Sequence, residues 1–139
     1  MTGPSPHLTW DELACHDAQK TPYPMEWRAT RAVDLAALFE RIRTACGDVP
    51  LRVLSGYRTP QHNRRIAGAP DSQHLHGRAL DVAVPPELTF AQFYERIRTL
   101  HRTGGIGRYE HAGFVHVDVR PGRLVAWNGG SQLKEARWA

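Results

Sequence analysis

The sequence predicts an α+β domain in which helices pack against a small, mostly antiparallel sheet. Three observations lead there. Two segments in the first hundred residues carry apolar side chains at helical spacing, one ended by Gly47 and the other opened by a capping box. The last third is a series of short valine-, isoleucine- and aromatic-containing runs separated by glycines and Pro121. No internal repeat, low-complexity segment or linker divides the 139 residues, a length that suits one domain. The predicted domain is therefore 1–139, with a core from about 8 to 127.

The elements follow in order. Residues 8–14 predict a short helix opened by Thr9, with Glu12 completing a capping box. Thr21-Pro22-Tyr23-Pro24 reads as an extended loop. A long helix is predicted from about Trp27 to Cys46, with Leu35, Leu38, Phe39, Ile42 and Cys46 as its buried stripe and Gly47 as its stop. Leu51 to Leu54 predict a strand feeding Ser55-Gly56-Tyr57-Arg58-Thr59-Pro60. Pro60 then starts a short helix through about Ile66. Gly68 to Asp71 form a turn, and Arg78 to Val84 a strand stopped by Pro85-Pro86. Thr89 and Gln92 cap another helix, whose apolar face is Phe90, Phe93, Ile97 and Leu100 and which Gly104-Gly105 breaks. Strands are expected over 106–109, 113–119 and 124–127.

Composition narrows the function classes. A hydrophobic content of 41% with 23% charged residues is that of a globular protein able to build a core without staples. No apolar run nears the roughly 18 residues of a membrane span. The first residues, Met1 to His7, lack the basic and apolar regions of a secretory signal. The expectation is a chain made in the cytoplasm that reaches any external target by release or another export route. A net charge of +4 biases it toward anionic partners such as carboxylate-rich wall polymers. No basic block exceeds Arg64-Arg65 and no nucleic-acid motif is present, so nucleic acid is not an expected partner. Cys15 and Cys46 make no disulfide framework, and Cys15-His16-Asp17 lacks a second ligand pair at a standard metal spacing.

The chemistry concentrates in Ser72-Gln73-His74-Leu75-His76-Gly77-Arg78-Ala79-Leu80-Asp81 and in Phe114-Val115-His116-Val117-Asp118. Strand alternation puts Asp81 on one face with Ala79 and Ala83, small neighbours that leave room for a metal and a substrate. In the later strand Val115, Val117 and Val119 form the core face, with Phe114, His116 and Asp118 opposite. If the two strands are neighbours, Asp81 and His116 converge and His74 reaches them from the preceding loop. Two imidazoles and a carboxylate match the ligand type of an open zinc site, in which three protein ligands leave a fourth position. Each residue alone is better explained as surface or ion-pair chemistry. The combination is stronger, because buried carboxylates and imidazoles need compensating partners.

These motifs resemble the zinc D-Ala-D-Ala peptidase family, peptidase family M15, and within it the compact C-terminal-type domains of bacterial and phage proteins, endolysins included. The likeness runs from about 8 to 127 and includes Asp11 to Cys15, Ser55 to Pro60, Asn63, Gly104 to Gly107 and Asp118 to Pro121 in order. It implies a hedgehog/DD-peptidase-like fold and one zinc ion per chain, held by His74, Asp81 and His116. It implies a monomeric metallopeptidase acting on peptidoglycan stem peptides or cross-links, as carboxypeptidase or endopeptidase. It gives Arg58 a substrate-contacting role that suits a bidentate guanidinium, with Ser55 and Tyr57 sharing its loop. Ser72 and Gln73 are expected to orient the ligand loop or the substrate carbonyl. One departure stands out. Related peptidases carry an acidic general base three residues before the third ligand, where this chain has Gly113. Asp118, Glu110 and His111 are the candidate replacements. Asp118 comes first because it shares a strand face with His116, although a carboxylate there could equally orient the imidazole. A non-catalytic zinc-containing module, binding cell wall or serving as a phage structural part, is the alternative reading.

Overall fold

A computed structural model describes residues 2–129, and Met1 and 130–139 of the predicted domain lie outside the described residues. The elements are α1 (Trp10–Leu13), a 3-10 turn (Met25–Trp27), α2 (Arg31–Ala45), β1 (Val53–Ser55), α3 (Pro60–Arg65), a second 3-10 turn (Gln73–His76), β2 (Ala79–Ala83), α4 (Phe90–Leu100), β3 (Thr103–Tyr109), β4 (Phe114–Arg123) and β5 (Val125–Asn128). The strands form one sheet in the order β1-β2-β4-β3-β5. Every neighbouring pair is antiparallel except β3 with β5. This is the predicted α+β arrangement.

Local sequence explains the helices. Thr9 and Glu12 form a reciprocal capping box at α1, and Thr89 and Gln92 form another at α4. Each box satisfies two backbone donors that a helix start leaves open. Thr59 caps α3, whose first residue is Pro60. The α2 stripe of Leu35, Leu38, Phe39 and Ile42 is buried with Phe93 and Ile97 of α4 against Leu80, Val82, Val115 and Val117 of the sheet. Each large apolar side chain buried in this way contributes about 1.5–3 kcal/mol.

Several boundaries differ from the sequence reading. The long helix begins at Arg31 rather than Trp27, because Thr30 leaves helical geometry at φ −125°, ψ −86°. Trp27 instead packs edge-on against Tyr23 and Tyr57. Gly104 and Gly105 do not break a helix. α4 stops at Leu100, and both glycines lie in β3, where a Cβ on Gly105 would overlap the Asp118 carboxylate. β1 is shifted to 53–55, and β4 runs on to Arg123. No helix among the described residues is long and apolar enough to cross a membrane.

Candidate metal centre

The sheet register brings the predicted ligands together. In the antiparallel β2–β4 pair Asp81 stands directly opposite His116, where side chains on one face are nearest neighbours. His74 enters from the Gln73–His76 turn. That turn is capped by Ser72, whose Oγ accepts from the His74 amide, and closes at Gly77 in the left-handed region at φ 65°. A Cβ there would come within 2.6 Å of the Trp27 ring, so glycine serves both conformation and space. The Tyr23 hydroxyl donates to the Gly77 carbonyl at 2.6 Å and Arg31 donates to the His76 carbonyl at 2.8 Å. Both bonds fix the turn that carries His74. One ligand atom from each of His74, Asp81 and His116 lies within 4.8 Å of the other two, and all three residues are buried.

Hydrogen bonding sets which nitrogen each imidazole offers. His74 Nδ1 lies 2.7 Å from the Gly56 carbonyl, an acceptor only, so Nδ1 carries the proton and donates. Nε2 is left with its lone pair 3.1 Å from Asp81 Oδ2. His116 Nε2 donates to Asp118 Oδ2 at 2.8 Å, and Nδ1 lies 2.9 Å from Asp81 Oδ1. Three electron-pair donors, two nitrogens and a carboxylate, thus converge on one point. Lone pairs this close need a positive charge between them, either a bound cation or, without one, a proton on His116 Nδ1. Two imidazole nitrogens and a carboxylate fit a divalent transition-metal ion, zinc among them.

The electrostatics treat the two imidazoles differently, and in His116 they favour a proton that a bound cation would displace. Burial, aided by the Arg58 charge, pushes the His74 pKa down to about 4, which keeps it neutral as a ligand must be. Burial alone would raise Asp81, but His74 and His116 outweigh it and hold the carboxyl well below the usual range. His116 moves the other way: burial opposes its charge, and the Asp118 and Asp81 carboxylates overcome that and raise it. Positive charge is favoured where the three meet.

Asp118 is fully buried and heavily engaged. Its Oδ1 accepts from the Arg120 amide at 3.1 Å and from Arg120 Nε at 2.8 Å. Its Oδ2 accepts from Arg120 Nη2 and His116 Nε2, both at 2.8 Å. Burial is again outweighed, by Arg120 first and His116 next, so the carboxyl is held well below its usual range.

A cavity of about 310 Å³ opens beside His74 and His116. Arg58, Ser72 and Gln73 line it, as do Asp71, Tyr109, Arg120 and Trp127. Arg58 is buried. Its Nε donates to Ser55 Oγ at 3.3 Å, its Nη1 donates to Asn63 Oδ1 at 3.0 Å, and its Nη2 lies 3.5 Å from Asp81 Oδ2. Ser55 therefore bears on the site through Arg58. Tyr57 does not line the cavity and packs at ring distances of 6.3 and 6.0 Å against Tyr23 and Trp27. Glu110 and His111 are not brought to the site either. They are exposed in the β3–β4 turn and line a different cavity with Arg108 and Asn128. Gly113 ends that turn at φ 74°, a conformation an acidic residue would adopt only with strain. His76, half-buried, pairs with exposed Asp71 at 3.0 Å.

Tyr109, Arg120 and Trp127 were not among the predicted site residues. Arg120 follows Asp118 by two, so its place on the same strand face was open to a period-two reading. Trp127 enters only because β5 pairs with β3, placing it opposite Gly107, itself opposite His116. No local pattern signals that pairing.

A sequence model of the family described as Peptidase M15 matches residues 6–118. The chain is also similar to a protein of Haemophilus influenzae named probable peptidoglycan L,D-endopeptidase MepK. The two are 31% identical over 125 residues, covering 80% of this chain and 64% of the relative. The chain thus spans a little under two thirds of that relative's length.

Proposed function

The chain belongs to the peptidase M15 family, and from that membership we propose that it is a zinc-dependent peptidase that hydrolyses peptide bonds in peptidoglycan. The observation that carries the metal is the convergence of His74 Nε2, Asp81 and His116 Nδ1, with each imidazole's other nitrogen committed to a hydrogen bond. The substrate class rests on the likeness to a protein named as a peptidoglycan endopeptidase. Bound there, zinc supplies a Lewis acid that polarises a carbonyl and activates water near neutral pH.

The chain's own residues do the rest. Gly56 fixes the tautomer of His74 and Asp118 that of His116, as partners of metal-binding imidazoles do. With four accepted hydrogen bonds, Asp118 suits this orienting role better than proton abstraction. Arg58 presents a buried positive charge to the cavity, where it can meet a substrate carboxylate or a polarised carbonyl. Trp127, its ring centroid 5.1 Å from that of His116, forms a wall that sheds water from one side.

The test is to incubate purified sacculi with zinc-loaded protein and analyse the released muropeptides by mass spectrometry. Cleaved stems or cross-links are expected from the parent and not from His116→Ala. If parent protein with zinc bound leaves every bond intact, the non-catalytic wall-binding reading, which the glycine at 113 favours, replaces this one. The masses of the products also separate carboxypeptidase from endopeptidase action.

A further inference from the structure

One wall of the cavity includes a tyrosine held by several packing contacts. Tyr109 ends β3 and lines the cavity together with His74, His116 and Arg58. Its ring stacks on Phe114, with centroids 4.6 Å apart and planes 10° from parallel. A Cβ on Gly129 would overlap that ring, so the chain leaves a gap in β5's continuation for the tyrosine to fill. Trp127 Nε1 donates to the Tyr109 hydroxyl at 3.0 Å. The Trp127 indole is seated in turn by Gly107, where a Cβ would come within 2.7 Å of it. Two side-chain-free positions and one aromatic stack thus hold one phenol in one place.

The direction of the Trp127 bond matters. An indole N–H can only donate, so the Tyr109 oxygen accepts here, and its own proton must point elsewhere. Burial raises the phenol above its ordinary ionisation range, opposed by the Trp127 bond, so the proton is retained at neutral pH. A cavity-lining phenol that accepts from Trp127 can still turn its O–H toward an oxygen in the cavity.

We propose that Tyr109 is a catalytic residue that donates a hydrogen bond to the scissile carbonyl oxygen as negative charge grows on it, with Trp127 as the positioning residue that aims the phenol. This rests on the peptidase reading above. The phenol keeps its proton throughout, so no bond to it is made or broken. A fixed donor aimed at developing charge needs no reorganisation during reaction, the source of its effect. It also supplies polar stabilisation from within the cavity, where Glu110, His111 and Gly113 supply none.

The experiment compares parent, Tyr109→Phe and Trp127→Phe, all with zinc content and melting temperature measured. Substrates are cross-linked muropeptides isolated from sacculi. A stem-peptide phosphinate, whose tetrahedral anionic oxygen copies the charge, is titrated calorimetrically as a probe independent of turnover. Tyr109→Phe keeps the ring stack and should keep fold and zinc. It is expected to lower kcat by about 10²–10³-fold with KM nearly unchanged, the loss typical of one such donor. Phosphinate binding should weaken while binding of the cleaved peptide does not. Trp127→Phe removes the aiming bond together with part of the indole wall and should lower kcat by about 5–10-fold, and in the Tyr109→Phe background it should cost no further phosphinate affinity if it acts through the phenol. Unchanged kcat in Tyr109→Phe, or a change confined to KM, overturns the role of Tyr109 while leaving the peptidase reading intact. A parent that neither cleaves muropeptides nor binds the phosphinate overturns both.

Discussion

Replacing Asp118 by asparagine separates two roles a carboxylate beside a metal ligand can play. The structure shows which atoms are at stake. Oδ1 serves two Arg120 donors, and Oδ2 serves Arg120 Nη2 and His116 Nε2. An amide keeps one oxygen and turns the other into a donor, so one side must set N–H groups against N–H groups. If the amide oxygen stays with the Arg120 amide and Nε, the bonds to His116 and Arg120 Nη2 are lost. At about 1.5–3 kcal/mol for each hydrogen bond to a charged group, two lost bonds come to about 3–6 kcal/mol. The Arg120 side chain is 27% exposed and can recover water, which pulls the expectation toward about 3–4 kcal/mol. His116 meanwhile loses the acceptor that fixes its tautomer, and zinc affinity should weaken by about 10–100-fold. The assays are urea unfolding of the metal-free protein at pH 7 and zinc competition against a chelating dye. Muropeptide turnover is then measured at saturating zinc, where an orienting role predicts a loss well short of the roughly 10²–10⁴-fold for a deleted general base. Parent-like zinc affinity together with a loss inside that larger range would refute the orienting role and make Asp118 the base.

Two further substitutions have outcomes that the structure sets. Arg58→Lys keeps a charge but cannot reach Ser55, Asn63 and Asp81 together, so kcat/KM on muropeptides should fall by about 10–100-fold with zinc content unchanged. Steady-state kinetics beside elemental analysis checks both halves. Asp17 accepts from the Thr21 amide at 2.8 Å and the Thr21 hydroxyl at 2.6 Å, and the hydroxyl bond leads in holding its carboxyl below the ordinary value. A depressed folded-state pKa stabilises above the unfolded value of about 3.9 and ceases to do so as pH falls through the folded one. Asp17→Asn should therefore melt about 3–6 °C below the parent at pH 7, with the gap closing below about pH 4 in calorimetric scans; a gap that persists at pH 2 would contradict the assignment.

That His74, Asp81 and His116 would meet was legible in the sequence because the signals are short-range and periodic. Asp81 and His116 sit in strands whose alternation fixes their face, and His74 sits in a turn punctuated by Ser72 and Gly77. The starts of α1 and α4 were legible for a similar reason, since Thr9-Glu12 and Thr89-Gln92 state their caps locally, whereas α2 has no side-chain cap and its start was misplaced. What escaped depends on distant pairing. Tyr57 shares a loop with Arg58, yet the aromatic cluster of Tyr23 and Trp27 draws it away from the cavity. Glu110 and His111 neighbour the ligand strand in sequence, but a turn that closes through Gly113 aims them at a different surface. Trp127 reaches the site through a parallel β3–β5 pairing that no local residue announces. Gly104 and Gly105 look like helix breakers in one dimension. In three they are the spaces that let β3 press on Asp118.

The central proposal is one zinc ion held by three side chains, and zinc stoichiometry measures it most directly. Protein purified without chelator, from medium containing zinc, should carry one zinc per chain by elemental analysis. His74→Ala, Asp81→Ala and His116→Ala should each fall to a small fraction of that while remaining soluble. A parent without zinc that also fails to take it up on addition, or a His116→Ala variant that keeps a full equivalent, would contradict the assignment of this site.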